Sequence, residues 1–165
     1  MSEEAIVAEI TVRDIMRTDV PSVAPDDSVA RVALVLSQTD VSGVPVLENG
    51  EVVGIVSESD IIERQALPDL PTFATILDAT FSIDVGPNYK DELRHVLAVN
   101  ARELMTAPVY NLRHSATLDE AATLMVDRKI GVVPVLGDDG ELIGVVTRSE
   151  LVRTIAKLEN ADSTN

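Results

Sequence analysis

Apolar and polar positions recur twice along the chain, in the same order. In the first course, Arg13-Asp-Ile-Met16 forms a short helical turn, and Val20–Val23 is an extended piece. Behind Ser28, apolar Val29, Val32, Ala33 and Leu36 follow helical spacing. Two β-rich runs then flank Asn49-Gly50, and a last helix starts after Ser57. The second course opens with Arg102-Glu-Leu-Met105 and extends through Val109–Leu112. Leu118, Ala121, Ala122 and Met125 carry the helical spacing behind Thr117, and Thr117-Leu-Asp-Glu120 has the form of a capping box. Two β-rich runs flank Asp138-Asp-Gly140, and the last helix follows Thr147. Asn-Gly and Asp-Gly between apolar runs predict hairpins. The last helices are expected to turn Ile61 and Ile62, or Leu151, Val152 and Ile155, inward, and Pro45 and Pro134 are expected at strand starts, where a missing N–H is tolerated.

The two courses align residue by residue. Val44-Pro-Val-Leu47 and Val133-Pro-Val-Leu136 stand 89 residues apart, as do Met16 and Met105. One added residue at Asp138-Asp139 shifts the offset to 90, at which Gly50-Glu-Val-Val-Gly-Ile-Val-Ser57 matches Gly140-Glu-Leu-Ile-Gly-Val-Val-Thr147. Each copy therefore reads β-α-β-β-α. A unit of roughly 50 residues buries too little surface to stand alone comfortably. The expected fold is mixed α+β: two such repeats packed through their sheets with pseudo-two-fold symmetry. The expected boundaries are 11–64 for the first repeat, 100–158 for the second, 65–99 for a connector, and 1–10 and 159–165 for tails. The connector carries an apolar cluster of Phe73, Ile76, Leu77 and Phe81, then a helical pattern with Leu93, Val96 and Leu97 on one face. Such a segment is expected to pack on the module or at a dimer contact, the functional alternative being a flap that senses ligand.

Composition narrows the functions open to this fold. Apolar residues make up 45% of the 165, enough for a core, while aromatics are 2%, so that core is aliphatic. Thirteen Lys and Arg against 28 Asp and Glu give a net charge of −15, which repels a phosphate backbone. The aromatic platforms that stack single-stranded bases are missing too. With no cysteine, disulfides, thiolate chemistry and Cys-ligated metal sites are excluded. The acidic start is unlike a signal peptide, and no apolar run approaches the roughly 18 residues of a membrane span. A soluble, cytoplasmic protein is expected.

The candidate chemistry sits where the second strand of each hairpin meets the last helix: Gly54-Ile-Val-Ser57-Glu-Ser-Asp60 and Gly144-Val-Val-Thr147-Arg-Ser-Glu150. A hydroxyl residue followed three positions later by a carboxylate is a capping box and needs no ligand. The recurring glycine marks a close backbone approach, and a carboxylate beside a hydroxyl can hold the vicinal diol of a ribose. Catalysis is not indicated. His95 and His114 are the only histidines, neither has a nucleophile or metal ligand at recognisable spacing, and no G-x-x-x-x-G-K phosphate loop is present. No metal site is expected.

The Met-anchored opening of each copy, the Gly43-Val-Pro-Val46 and Val132-Val-Pro-Val135 strands, the Asn-Gly or Asp-Gly hairpin and the Gly-h-h-Ser/Thr-x-x-Asp/Glu ending, in order and twice over, resemble a tandem pair of CBS domains, the Bateman module. The resemblance covers about residues 11–158. It implies a ligand cleft between the copies for an adenosine-containing compound such as AMP, ADP, ATP or S-adenosylmethionine, with no cofactor required. Each of two related sites would draw on both copies. One would use Ser57 and Asp60 for the ribose, with Thr106, Val109 and Asn111, and with Gly131, Val132, Val133 and Pro134 along the base. The other would use Thr147 and Glu150, with Arg17, Val20, Ser22, Ser42, Gly43, Val44 and Pro45. The Asp60 site is the preferred one, since Glu150 is a methylene longer than the family's Asp. Arg113, His114, Lys129 and Arg148 are the cations near these elements. In so acidic a field AMP, or an uncharged or cationic adenosine compound, fits better than ATP without Mg²⁺. The resemblance further implies a homodimer and an output to a separate protein target. The competing reading is a ligand-independent dimerisation and interaction adaptor.

Overall fold

The structure, a computed structural model, describes residues 10–65 and 98–162. The connector cluster, the helical pattern after it and His95 lie outside the described residues. In chain order the elements are α1 (Val12–Ile15), α2 (Val29–Ser37), β1 (Gly43–Glu48), β2 (Glu51–Ser57), α3 (Glu58–Gln65), α4 (Ala101–Leu104), β3 (Leu112–Arg113), α5 (Leu118–Arg128), β4 (Val132–Leu136), β5 (Leu142–Thr147) and α6 (Arg148–Asp162). This is the expected α+β arrangement of two small sheets and covering helices. No helix among the described residues is long and apolar enough to cross a membrane.

The hairpins form as their turn residues dictate. β1 pairs antiparallel with β2, and β4 with β5. Asn49 (φ 54°) and Gly50 (φ 88°) make the first turn, and Gly140 (φ 83°) closes the second. Both hairpins shift register at the same place, between Val46 and Leu47 and between Val135 and Leu136. The second sheet gains a third strand, β3, parallel to β4. Its counterpart in the first copy shrinks to a single parallel bridge, Val23 to Val46. Pro25 explains the loss: its counterpart His114 donates its N–H to Leu136 O (3.3 Å), a bond that proline cannot make. Pro45 and Pro134 sit two residues further in than expected, as third residues of β1 and β4. Around Pro45 the parallel neighbour makes its bonds only from Val23 onward (Val23 N–H to Pro45 O, 3.0 Å; Leu47 N–H to Val23 O, 2.9 Å), so no donor is missed.

Helix starts are capped by side chains. Ser28 Oγ accepts the Arg31 N–H at the head of α2, and Thr117 with Glu120 forms the expected capping box at α5. Val29, Val32 and Leu36 of α2, and Leu118, Ala121 and Met125 of α5, are buried as their spacing predicts. The last helices depart from expectation. Ile61 and Leu151 turn inward, but Ile62 (68% exposed), Val152 (64%) and Ile155 face outward. Adjacent residues on a helix point about 100° apart, so a narrow contact buries one of the pair and not the next.

The copies are joined by exchanging their opening segments. The α1 turn of the first copy lies on the second copy: Val12 N–H bonds to Ala116 O (2.7 Å) and Arg13 N–H to His114 O (3.0 Å). The α4 turn of the second copy lies on the first, with Ala101 N–H to Asp27 O (2.8 Å) and Arg102 N–H to Pro25 O (2.9 Å). Arg17 and Val145 exchange two backbone bonds, as do Thr106 and Ile55. Every one of these pairs maps onto its counterpart by the repeat offset, so the pseudo-two-fold relation extends to individual hydrogen bonds. Accordingly Val12 belongs to the core of the second copy, while Ala101, Leu104 and Met105 complete the core of the first.

The exchange accounts for the recurring glycines. A Cβ at Gly54 would collide with the Met105 side chain, and one at Gly144 with the Arg17 carbonyl oxygen. The close approach expected at these glycines is therefore made by the opening segment of the other copy. A Cβ at Gly43 would stand 3.2 Å from the Val56 carbonyl oxygen of its own hairpin and 3.3 Å from Val132 Cγ2 of β4.

Candidate functional site

Strand β2 ends on Ser57 and α3 begins at Glu58, which places Asp60 in the first helical turn. Asp60 is 7% exposed. Its Oδ2 accepts the Ser57 N–H (2.6 Å) and the Ser57 O–H (2.7 Å), and Ser57 Oγ accepts the Asp60 N–H at 3.4 Å. The sequence motif is thus a capping box, but one that engages a single carboxylate oxygen. No hydrogen bond among the described residues ends on Oδ1. No buried side-chain N or O among the described residues lacks a hydrogen-bond partner, so Oδ1 is not sealed in the core but accessible, open to a donor from a ligand or water.

Asp60 lines a cleft of about 490 Å³, within the range of roughly 300–1,000 Å³ that small-molecule sites occupy. Its walls come from both copies. Ser42, Ile55, Ser57, Glu58, Ser59, Asp60 and Glu63 belong to the first, and Thr106, Lys129, Ile130, Gly131, Val132, Thr147, Arg148 and Ser149 to the second. Ser57, Asp60, Thr106, Gly131 and Val132 of the preferred set are therefore brought together. Val133 and Pro134 are fully buried in β4. Val109 is half-buried outside this lining, and Asn111 lines a different, open groove on the outer side of the second copy with Arg113 and Arg128.

The pseudo-equivalent place in the other half is built differently. Glu150 is 9% exposed and spends both oxygens internally: Thr147 O–H donates to Oε2, and Arg153 Nη1 stands 3.5 Å from Oε1. Glu150 and Arg17 line a notch of about 300 Å³ with Asp14, Ile15, Arg153, Thr154 and Lys157. Where the Asp60 cleft has the short Thr106, this notch has Arg17. Of the remaining residues expected here, Ser42 and Thr147 line the Asp60 cleft instead. Gly43, Val44 and Pro45 are buried in β1, Val20 packs on the first core, and Ser22 is exposed.

Residues of the cleft that the motif did not single out are Ile55, Glu58, Ser59, Glu63, Ile130 and Ser149. Glu58, Ser59 and Ser149 lie inside the two capping sequences, so their neighbourhood was legible. Ile130 sits beside Lys129 at the end of α5, where Lys129 takes the left-handed conformation (φ 55°). His114 is committed elsewhere, with Nε2 3.1 Å from Asp138 Oδ1. Among the described residues, no group of three or more His, Cys, Asp and Glu side chains is placed to hold a metal ion.

The family model described as CBS domain matches residues 12–67 and 101–157. An uncharacterized protein of Methanocaldococcus jannaschii is 30% identical over 152 residues, covering 87% of this chain and 90% of its own. The chloroplastic CBS domain-containing protein CBSX2 of Arabidopsis thaliana is 30% identical over 158 residues, which span 90% of this chain and 65% of that relative. The crystal structure of CBSX2 in complex with AMP superposes with a TM-score of 0.70 at 28% identity, covering 89% of this chain and 97% of that one.

Proposed function

We propose, since this chain belongs to the CBS-domain family, that it is a cytoplasmic, non-catalytic regulatory module that binds an adenosine-containing small molecule in the Asp60 cleft. The observation that carries the reading is the Asp60 carboxylate, nearly buried on the cleft wall with Oδ2 held by Ser57 and Oδ1 without a described partner. Oδ1 accepts one ribose hydroxyl, and the Ser57 hydroxyl serves the other. Val132 and Ile130 offer the apolar wall for the base. AMP bound to the similar CBSX2 supports the choice of ligand class. The notch at Glu150 is the weaker candidate, because its carboxylate is already satisfied within the protein.

Because the cleft walls come from both copies, a ligand there biases their relative arrangement, to the extent that it binds one arrangement more tightly than another. The outward Ile62 on α3 and its pseudo-equivalent Val152 on α6, with Ile155, give an apolar helical face for a homodimer. A separate protein target receives the change. The same face supports the second reading, an adaptor that dimerises and docks without any ligand.

A thermal-shift titration with AMP, ADP, ATP and S-adenosylmethionine separates the two. A ligand at 100 times its Kd stabilises by about 2.7 kcal/mol. Asp60→Ala is expected to abolish the shift and Glu150→Ala to keep it. No shift with any of the four supports the adaptor, and loss through Glu150→Ala alone moves the site to the other half.

A further inference from the structure

A groove of about 420 Å³ lies between α2 and α3 of the first copy. Ala30 and Ala33 of α2, Ile61 of α3 and Val99 give it an apolar lining, with Arg64 and Gln65 beside them. Val99 is 65% exposed, and Ala30 is exposed as well. The chain leaves the first copy and rejoins it at this groove. Gln65 ends α3, and Val99 stands just ahead of α4. Arg64 Nε donates to Ala98 O (3.0 Å), and Val29 N–H to Val99 O (3.3 Å), so both stems are fastened to the groove's own residues. The second copy repeats the pattern, with Leu118 N–H bonded to Ile10 O (3.2 Å), but its α6 continues to Asp162 and packs Leu158 on the second core. By the repeat offset the residue corresponding to Leu158 is Pro68, which has no N–H for an interior helical bond and clashes with the preceding turn. The apolar cover that a longer last helix gives the second copy has to come from another segment in the first.

We propose that the chain itself fills the groove: residues 90–97 dock between α2 and α3, with Leu93, Val96 and Leu97 against Ala30, Ala33 and Ile61. The three stand at i, i+3 and i+4, the spacing of one helical face. Leu97 adjoins Ala98, which is 1% exposed in the first core, and is two residues from Val99 of the groove lining. The apolar stripe therefore reaches the groove across almost no intervening chain. A segment tethered so closely meets its site at an effective concentration on the order of millimolar, which a second copy in dilute solution does not match. Each aliphatic side chain taken out of water there adds to the docking.

The chain has no cysteine, so introduced pairs report without background. Leu93→Cys is combined in turn with Ala30→Cys and with Ala33→Cys. Arg94→Cys in the same two combinations is the control, because adjacent helical residues point about 100° apart. A disulfide needs its two Cα atoms within about 7 Å. Under mild oxidation of the full chain, a Leu93 pair is expected to close within the chain about tenfold or more faster than its Arg94 control. A second measurement follows alkylation of Ala30→Cys alone. Its rate is expected to rise about tenfold or more when Leu93→Asp and Val96→Asp are added, since a carboxylate is not seated in an apolar groove. A circular-dichroism melt checks that this variant folds, and the disulfide measurement stands without it. A disulfide between chains puts a second copy in the groove and overturns the proposal. So does equal closure by the Leu93 and Arg94 pairs, or an alkylation rate that the two aspartates leave unchanged.

Discussion

Gly54→Ala inserts a methyl group where the exchanged Met105 already sits. The new Cβ would lie 2.6 Å from Met105 Cγ and 2.9 Å from its Cβ, against an optimum of about 3.5–4.0 Å between carbon atoms. Met105 Cβ is fixed to the backbone of the α4 cap, so rotation about χ1 does not clear the site. Overpacking of this kind costs about 1–3 kcal/mol. Gly54 does not have positive φ, so alanine recovers about 0.4–1 kcal/mol by restricting the unfolded chain. The net expectation is a loss of about 1–2 kcal/mol, seen as a melting point lower by roughly 2–8 °C. Met105→Ala alone opens a cavity and costs about 2–5 kcal/mol. In the double variant the clashes with Met105 Cγ and Sδ are gone and only the Cβ–Cβ contact remains. Urea titration of the four proteins is expected to give a favourable coupling of about 0.5–3 kcal/mol. At Gly144 the outcome differs, because the clash there is with the Arg17 carbonyl oxygen, which accepts the Val145 N–H while the Arg17 N–H donates to Val145 O. Gly144→Ala is expected to cost more than Gly54→Ala, and Met16→Ala is expected not to rescue it. A neutral Gly54→Ala, or equal rescue at both glycines, refutes the exchange of opening segments as the reason for glycine at these positions.

Other expectations concern local features. Gly50→Ala meets nothing within 4 Å but holds φ at 88°, so urea titration should show a loss of about 1–2 kcal/mol from backbone strain alone. Thr117→Ala removes the acceptor for the Glu120 N–H and should cost about 1 kcal/mol in the same assay. The Asp14 carboxyl is held below the ordinary aspartate value of 3.8, chiefly by the Thr11 hydroxyl and then by the Thr11 N–H, with a smaller contribution from Arg13. Since its folded-state pKa is the lower one, its contribution to stability is full at neutral pH and disappears as pH falls through that depressed pKa. Wild type and Asp14→Asn should therefore differ in melting point at pH 7 and converge in strong acid, and a constant difference would contradict the assignment. Glu48→Gln breaks an exposed pair with Arg102 and should change stability by no more than about 1 kcal/mol, with the difference fading at high salt.

The features legible in the sequence are those decided by near neighbours. Asn49-Gly50 fixes a turn through its own φ angles, and Thr117 with Glu120 closes a cap within one helical turn. The exchange of opening segments was not legible, for a reason of symmetry. Val12 and Ala101, or Met16 and Met105, occupy equivalent positions, so the same pattern is satisfied whether each segment packs on its own copy or on the other. The apolar spacing predicts Ile62 and Val152 inward, yet spacing cannot say how wide a helical stripe the neighbouring elements cover. Ser57 and Asp60 stood out as a pair because a capping box is local. That Asp60 keeps one oxygen without a described partner while Glu150 keeps none depends on Arg153, one helical turn beyond the motif.

The crossed openings also set an order on synthesis. As the chain leaves the ribosome, the first copy is complete in sequence long before Ala101, Leu104 and Met105 exist to fill its core. Its hairpin must wait with the groove beside Gly54 uncovered, and the second copy closes it from outside. The half that is made first is thus finished only once the second has begun to emerge. Two fragments divided in the connector would each carry the piece the other lacks, and are expected to fold on mixing and to remain incomplete apart.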